Sequence, residues 1–343
     1  MTSRITGFLA VAAFAVAVAL AGVLPASAAD ISLTYANFPP PPTFPCVQME
    51  RWADEVEKRT NGKVAVQTFP GGTLLGGKAM YQGVIDGQAD IGCMSMAYYP
   101  GVFPVVSVLE VPMGFTKATN AGLVLLDIYE KYKPAAFDKV KVLTMFTSAP
   151  SNLMCKVPVK SLADMQGLEI RGAGGASTVL DRLGATPVSM PMPETPEALQ
   201  KGIVKGLLSS LEVLMDFNFA ELCRHQTILN AQVYPFAVIM NMDSWNKLPE
   251  DVKKVFMDLK REQCLWTGQY MDEHVEESLE WSENNYDIDV YELSAEDKAE
   301  VKERLAGMLD EWKKQSAEKG APVDEIVEDV KKLKAKYEAE YGK

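Results

Sequence analysis

Histidine is almost missing from this chain. Its two copies, His225 and His274, stand far apart and form no HExxH pair. Cys223-Arg224-His225 is too short for paired zinc ligands. No GxSxG and no P-loop occurs, which removes the usual signatures of a serine hydrolase and a nucleotide-triphosphate enzyme. The glycines at 172, 174 and 175 lack the GxGxxG spacing of a dinucleotide site. Positive charge is short as well: 34 Lys and Arg stand against 46 Asp and Glu, for a net charge of -12. Such an acidic chain argues against a nucleic-acid partner, although one local arginine can still hold a small anion. Five cysteines (46, 93, 155, 223, 264) form no CxxC. Export would permit disulfides, with Cys46–Cys93 or Cys155–Cys223 as candidate pairs; buried free thiols fit equally. No nucleophile or acid–base pair stands out. Asp86 with Asp90, or Glu194 with Glu197, are more simply helix surface charge, so an enzyme is not expected. Nor is a cofactor or a metal.

After residue 29, no stretch reaches the length of apolar sequence that a membrane span needs. Residues 1–29 are different. Arg4, an apolar run and the small-residue "ASA" read as a secretory signal peptide cut after Ala28 or Ala29. A transmembrane anchor is the weaker reading. With no cysteine near the cut, a lipid anchor is not expected. The remaining chain exceeds what one core usually holds, so two domains are expected in an exported, soluble, periplasmic protein.

Strand and helix signals alternate. "ISLTYAN" reads as a strand and breaks into the stiff loop "FPPPPTFP". Met49, Trp52, Ala53 and Val56 follow at helical spacing, then "VAVQTFP" and "ADIGCMSM" as strands. This rhythm predicts an α/β fold with mostly parallel sheets flanked by helices. The tract opening at Pro249 exceeds 30 residues and reads as one bent helix spanning both lobes, or as two helices. No linker divides the lobes, so the chain is expected to cross between them more than once, with the ligand in the crevice.

One feature concentrates the question. In "KSLADMQGLEIRGAGGAS", a short apolar strand ends on Arg171, whose charge cannot be shed. Without a protein carboxylate, its partner is a bound anion. The glycine loop behind it offers backbone N–H groups at a helix start, which can help hold an anion.

Four stretches together resemble the DctP-type periplasmic solute-binding proteins of TRAP (tripartite ATP-independent periplasmic) transporters: "PGGTLLGGKAMYQGVIDGQADIG", "SLADMQGLEIRG", "LGATPVSMPMPETPEALQKGIVKG" and "YPFAVIMNMDSWNKLPEDVKKVF". The resemblance implies a two-lobed periplasmic binding protein fold. Lobe 1 would hold residues 30–148 with 237–276, and lobe 2 residues 149–236 with 277–343. It also implies a monomer that closes on a small organic acid and delivers it to the small and large membrane subunits of the transporter. In the family, the arginine of the "GLEIR" strand makes a paired bond to the ligand's acid group, a role that falls on Arg171. The chain departs from many relatives at two places. Ser151 stands near the usual second arginine, and Ser209 stands where an asparagine is common, four residues after Lys205. Further pocket positions implied are Asn37, Phe38, Tyr98, Tyr99, Phe217, Asn218, Tyr234 and Phe236. One cationic anchor among aromatics favours a monocarboxylate with an apolar or aromatic body, or a 2-oxo acid. Lys205 or Arg224 could supply a second anchor. A small-sulfonate receptor and a sensory solute-binding module are the alternatives.

Overall fold

The computed structural model describes residues 29–342, so the signal peptide expected over 1–29 lies, apart from its last residue, outside the described residues. Along the chain run β1 (Ile31–Asn37), α1 (Phe44–Arg59), β2 (Val64–Phe69), α2 (Met80–Ile85), β3 (Ile91–Ser95), α3 (Ala118–Tyr132) and β4 (Val140–Thr147). Next come β5 (Asn152–Cys155), β6 (Glu169–Arg171), α4 (Gly175–Arg182), β7 (Thr186–Val188), α5 (Thr195–Gln200), β8 (Gly206–Ser209), α6 (Val213–Asp216) and β9 (His225–Ile228). The chain ends with β10 (Pro235–Asn241), α7 (Met242–Lys247), α8 (Glu250–Asn285), β11 (Asp289–Glu292), α9 (Ala295–Ala317) and α10 (Val323–Tyr341).

The described strands make two sheets. The first has the order β2-β1-β3-β10-β4 and the second β11-β9-β5-β8-β6-β7. Both are mixed. β10 runs antiparallel to β3 and β4, and β5 antiparallel to β8 and β9, because these strands return from the other lobe. β5, β8, β9 and β11 are the strands the periodicity did not mark. They are four residues long, too short for alternation to show.

The chain crosses between sheets through two segments that pair with each other. The Ser148 N–H donates to the Tyr234 carbonyl at 2.9 Å, and the Ser151 N–H to the Gln232 carbonyl at 2.8 Å. α8 is a single helix of 36 residues, about 54 Å long at 1.5 Å per residue. Its first half belongs to the first lobe: Phe256 packs on Trp52, with ring centroids 4.9 Å apart, and Trp52 meets Tyr35 edge-on at 5.8 Å. Its second half reaches the other lobe, where the Ser278 hydroxyl donates to the Leu211 carbonyl at 2.9 Å. Small residues let α8 approach α3. A Cβ on Gly268 would lie 2.5 Å from the Cα of Thr119, which as backbone cannot swing aside. Gly268→Ala is therefore expected to cost roughly 1–3 kcal/mol, read as a lower urea midpoint with an unchanged slope.

α10 packs on α3, where the Tyr132 hydroxyl donates to Asp329 at 2.5 Å. The expected grouping of 277–343 with the second lobe does not describe this helix, because its apolar face meets the first-lobe helix. α9 contacts α4, and its Trp312 indole donates to the Pro104 carbonyl at 3.0 Å. No helix among the described residues is long and apolar enough to cross a membrane.

All five cysteines are buried free thiols, so neither candidate disulfide forms. Burial pushes Cys46 up to about 12 and disfavours its thiolate.

Candidate functional site

The proline loop is shaped by Asn37 at the end of β1. Its side-chain amide donates to the Pro45 carbonyl at 2.6 Å, and its oxygen accepts from the Phe38 N–H at 3.1 Å. The loop then presents Phe38, Pro39, Thr43, Phe44 and Pro45 to a cavity between the sheets. From the second sheet come Arg171 at the end of β6, Ser209 and Ser210 at the end of β8, and Glu212, Val213, Asp216 and Phe217 around α6. Ser95, Tyr98, Ser148, Met192, Tyr234 and Phe236 complete the lining; the space not filled by atoms, including the part open to solvent, is about 460 Å³.

Arg171 is 1% exposed. It makes no ion pair with a carboxylate among the described residues. Its Nε and Nη2 both donate to the Met190 carbonyl, at 3.1 and 2.8 Å, which fixes the guanidinium plane. Nη1 is buried with no partner. Nη1 is therefore available to an acid group, beside the Tyr98 hydroxyl, which also bears on the guanidinium. The guanidinium sits 5.9 Å from the Tyr234 ring centroid. Burial raises the Tyr98 and Tyr234 phenols, and the Arg171 charge opposes that rise.

The walls are aromatic. Phe38 meets Tyr98 edge-on at 5.4 Å and stacks on Phe236 at 6.4 Å, while Phe44 meets Phe236 edge-on at 5.4 Å. Across the cleft, the Tyr98 hydroxyl accepts from the Met192 N–H at 3.0 Å. This bond exists only while the lobes are together. Tyr98→Phe is expected to weaken ligand binding by about 1 kcal/mol, or roughly fivefold, in titration calorimetry. Unchanged affinity would remove Tyr98 from the closure.

The structure thus brings Phe38, Tyr98, Arg171, Ser209, Phe217, Tyr234 and Phe236 to one cavity. It places four other candidates elsewhere. Asn37 is occupied with holding the proline loop. The Tyr99 hydroxyl points into the first lobe, donating to the Gly77 carbonyl at 2.8 Å. Ser151 belongs to the paired crossover segments. Asn218, at φ 53°, binds Glu221 and Tyr286 beside the second lobe's surface. Neither proposed second anchor lines the cavity. Lys205 donates to the Gly202 carbonyl at 3.3 Å, and Arg224 is exposed over the Tyr286 ring.

The glycine loop behind Arg171 does not hold a free anion. The Gly175 N–H that opens α4 is met by Glu110 Oε2 from the other lobe at 2.7 Å. A Cβ on Gly175 would fall 2.3 Å from the Glu110 carbonyl oxygen, so glycine here permits close approach of the lobes. Burial pushes Glu110 up to about 7, opposed by that N–H.

Sequence reasoning missed the acidic end of the cavity. Glu212 and Asp216 stand four apart in "LLSSLEVLMDFNF", an apolar stretch with no cation, which was the available signal. Asp216 Oδ1 lies 2.7 Å from His274 Nε2 of α8. Burial alone would lower the His274 imidazole, but the carboxylate outweighs it and holds the ring at about 9. Burial pushes Asp216 upward, while the imidazolium and the Phe44 N–H at the start of α1 oppose that push. Burial pushes Glu212 up to about 8.

Asp90 accepts from the Thr34 N–H and hydroxyl, each at 2.8 Å, and from the Ser244 hydroxyl at 2.6 Å, so it ties β1 to α7. Among the described residues, no cluster of His, Cys, Asp and Glu could hold a metal ion.

Two sheets joined by paired crossovers, with a buried, charged, aromatic-walled cavity between them, define a two-lobed binding protein for a small organic molecule. Residues 38–315 match the family described as Bacterial extracellular solute-binding protein, family 7 (DctP), and the chain belongs to that family. It is the extracytoplasmic solute receptor of a TRAP transporter, a periplasmic binding protein for a small organic acid and not an enzyme. A TRAP periplasmic solute-binding protein from Desulfovibrio salexigens is 60% identical, with a TM-score of 0.81 over 90% of this chain and 97% of that one. That structure is an open complex with the C-terminus of a symmetry mate in its ligand-binding site. A marine metagenome TRAP protein from an unidentified microbe, specific for aromatic acid ligands and bound to 3-hydroxybenzoate, is 27% identical. Its TM-score is 0.85 over 90% of this chain and 99% of that one. The C4-dicarboxylate-binding periplasmic protein DctP of Rhodobacter capsulatus is 26% identical over 322 residues, 91% of this chain and 94% of that protein.

Proposed function

We propose that the receptor takes a monoacid with an apolar or aromatic body, anchored by Arg171, and hands it to the two membrane subunits as a monomer. The observation that carries this reading is the unpartnered Nη1 of Arg171, the one cation lining a cavity with aromatic walls. A second buried carboxylate would meet Glu212 and Asp216 in place of a cation, and an unpaired buried charge costs several kcal/mol. The aromatic-acid specificity of the metagenome relative supports the same class. The lobes that close on the acid are assigned as 30–148 with 237–276 and 149–236 with 277–322, α10 joining the first.

A competition series at fixed pH tests this: an aryl-acetate, a 2-oxo monoacid, a short sulfonate, malate and a hexuronate. At least one monoacid is expected to bind tenfold or more tightly than malate and the hexuronate. Tenfold preference for malate or the hexuronate over every monoacid would end the single-anchor reading. A sulfonate binding above all carboxylates would instead favour the sulfonate receptor.

A further inference from the structure

The acidic end of the cavity asks for a partner of its own. Glu212 is 2% exposed, lines the same cavity as Arg171, and leaves Oε2 without a donor. Beside it, the Ser210 hydroxyl is fully buried, lines the cavity and has no partner apart from the Glu212 carboxyl it bears on. Asp216 is not equivalent, because its charge is answered by His274. Two unmet polar ends therefore face one apolar space: a cationic donor at Arg171, and an acceptor pair at Glu212 and Ser210. Buried polar groups left this way are costly unless a ligand satisfies them.

Charge counting separates the candidate ligands. Asp216 and His274 cancel. A simple monoacid neutralises Arg171 but leaves Glu212 to stay protonated with an idle oxygen. A hydroxyl on the ligand would satisfy that oxygen without compensating an ionised carboxylate. An ammonium group does both, and its three N–H donors suit the carboxylate and the Ser210 hydroxyl together.

We propose that the bound acid also carries an amino group and that Glu212 receives it, so that the ligand is an amino acid or another aminocarboxylate with an apolar or aromatic body. This rests on the organic-acid reading of the Arg171 end and narrows it. The groups bearing on Glu212 are Ser210, its own backbone N–H, Asp216 and His274. Because burial holds Glu212 at about 8, its carboxyl is mostly protonated at pH 7 before binding. An arriving ammonium displaces that proton, which leaves to buffer.

The test uses sets that share one skeleton. Phenylalanine (both enantiomers), phenyllactate and 3-phenylpropionate place ammonium, hydroxyl or hydrogen beside the acid. 4-(Aminomethyl)benzoate and 4-methylbenzoate place the amine at the far end. In titration calorimetry of the mature chain, the amino member of at least one set is expected to bind ten times or more tightly than its amine-free partners. It should release close to one proton at pH 7, measured in two buffers of different ionisation enthalpy. Glu212→Gln is expected to bring that preference below threefold and abolish the proton release. The proposal is overturned if the amine-free or hydroxyl member matches the amino member in every set, or if no member of either set binds. These wild-type rankings decide the matter even if the variant does not fold. Failure of the underlying acid reading looks different: Arg171→Ala would then leave the affinity of every bound probe unchanged.

Discussion

Arg171→Ala is expected to weaken acid binding by about 2–5 kcal/mol, that is, from roughly 30-fold to several thousand-fold in Kd. The side chain is buried, and its Nη1 has no protein partner, so the acid group would lose its only cation at a buried site. Arg171→Lys separates charge from geometry. An ammonium cannot hold the Met190 carbonyl with one edge and chelate an acid with another, as the guanidinium is placed to do. Lysine should therefore lose at least tenfold although its charge remains. Titration calorimetry with the tightest acid of the competition series measures both. Wild-type affinity in Arg171→Lys would sink the paired-bond geometry, and an alanine variant within threefold would sink the anchor itself.

His274→Ala should destabilise the fold by about 3–5 kcal/mol, because it strands the Asp216 carboxyl in the interior. The Asp216 side chain is 1% exposed and the His274 side chain 7%. The pH dependence carries a sign. The His274 ring rises from its ordinary 6.5 to about 9 in the fold. Its contribution is therefore fully present below about pH 6.5 and fades as pH climbs through about 9, where the folded ring too gives up its proton. Urea unfolding at pH 6, 7.5 and 9.5 should show the gap between wild type and variant shrinking with pH. A gap below 0.5 kcal/mol at pH 6, or one that grows with pH, contradicts the ion-pair assignment.

Legibility differed by element and had physical causes. Helices with a long apolar stripe could be read because the stripe repeats. Val252, Phe256, Leu259 and Met271 are buried along one face of α8. Phe38, Tyr98, Phe217, Tyr234 and Phe236 were placed near the site by resemblance and do line the cavity. Asn37, Tyr99, Ser151 and Asn218 were placed there by the same route, but none of them lines the cavity. Asn37, Tyr99 and Asn218 make side-chain hydrogen bonds to local partners, whereas Ser151 is held through its backbone and its hydroxyl has no partner. A residue's position in the chain fixes its neighbourhood and leaves its direction open. Glu212 and Asp216 were legible only as an oddity, two carboxylates in an apolar run.

From the chain alone came the alternation of strand and helix, the single long tract after Pro249, the shortage of catalytic residue types and the isolated charge of Arg171. These are local properties, set by spacing and residue chemistry. The tertiary structure decided which strands run antiparallel, where α10 docks, that the cysteines stay free, and that the Gly175 N–H meets Glu110 instead of an anion. It also decided that the cavity has two unmet ends. Each of these depends on segments far apart in sequence, and the partner of a buried group is fixed only when the lobes come together.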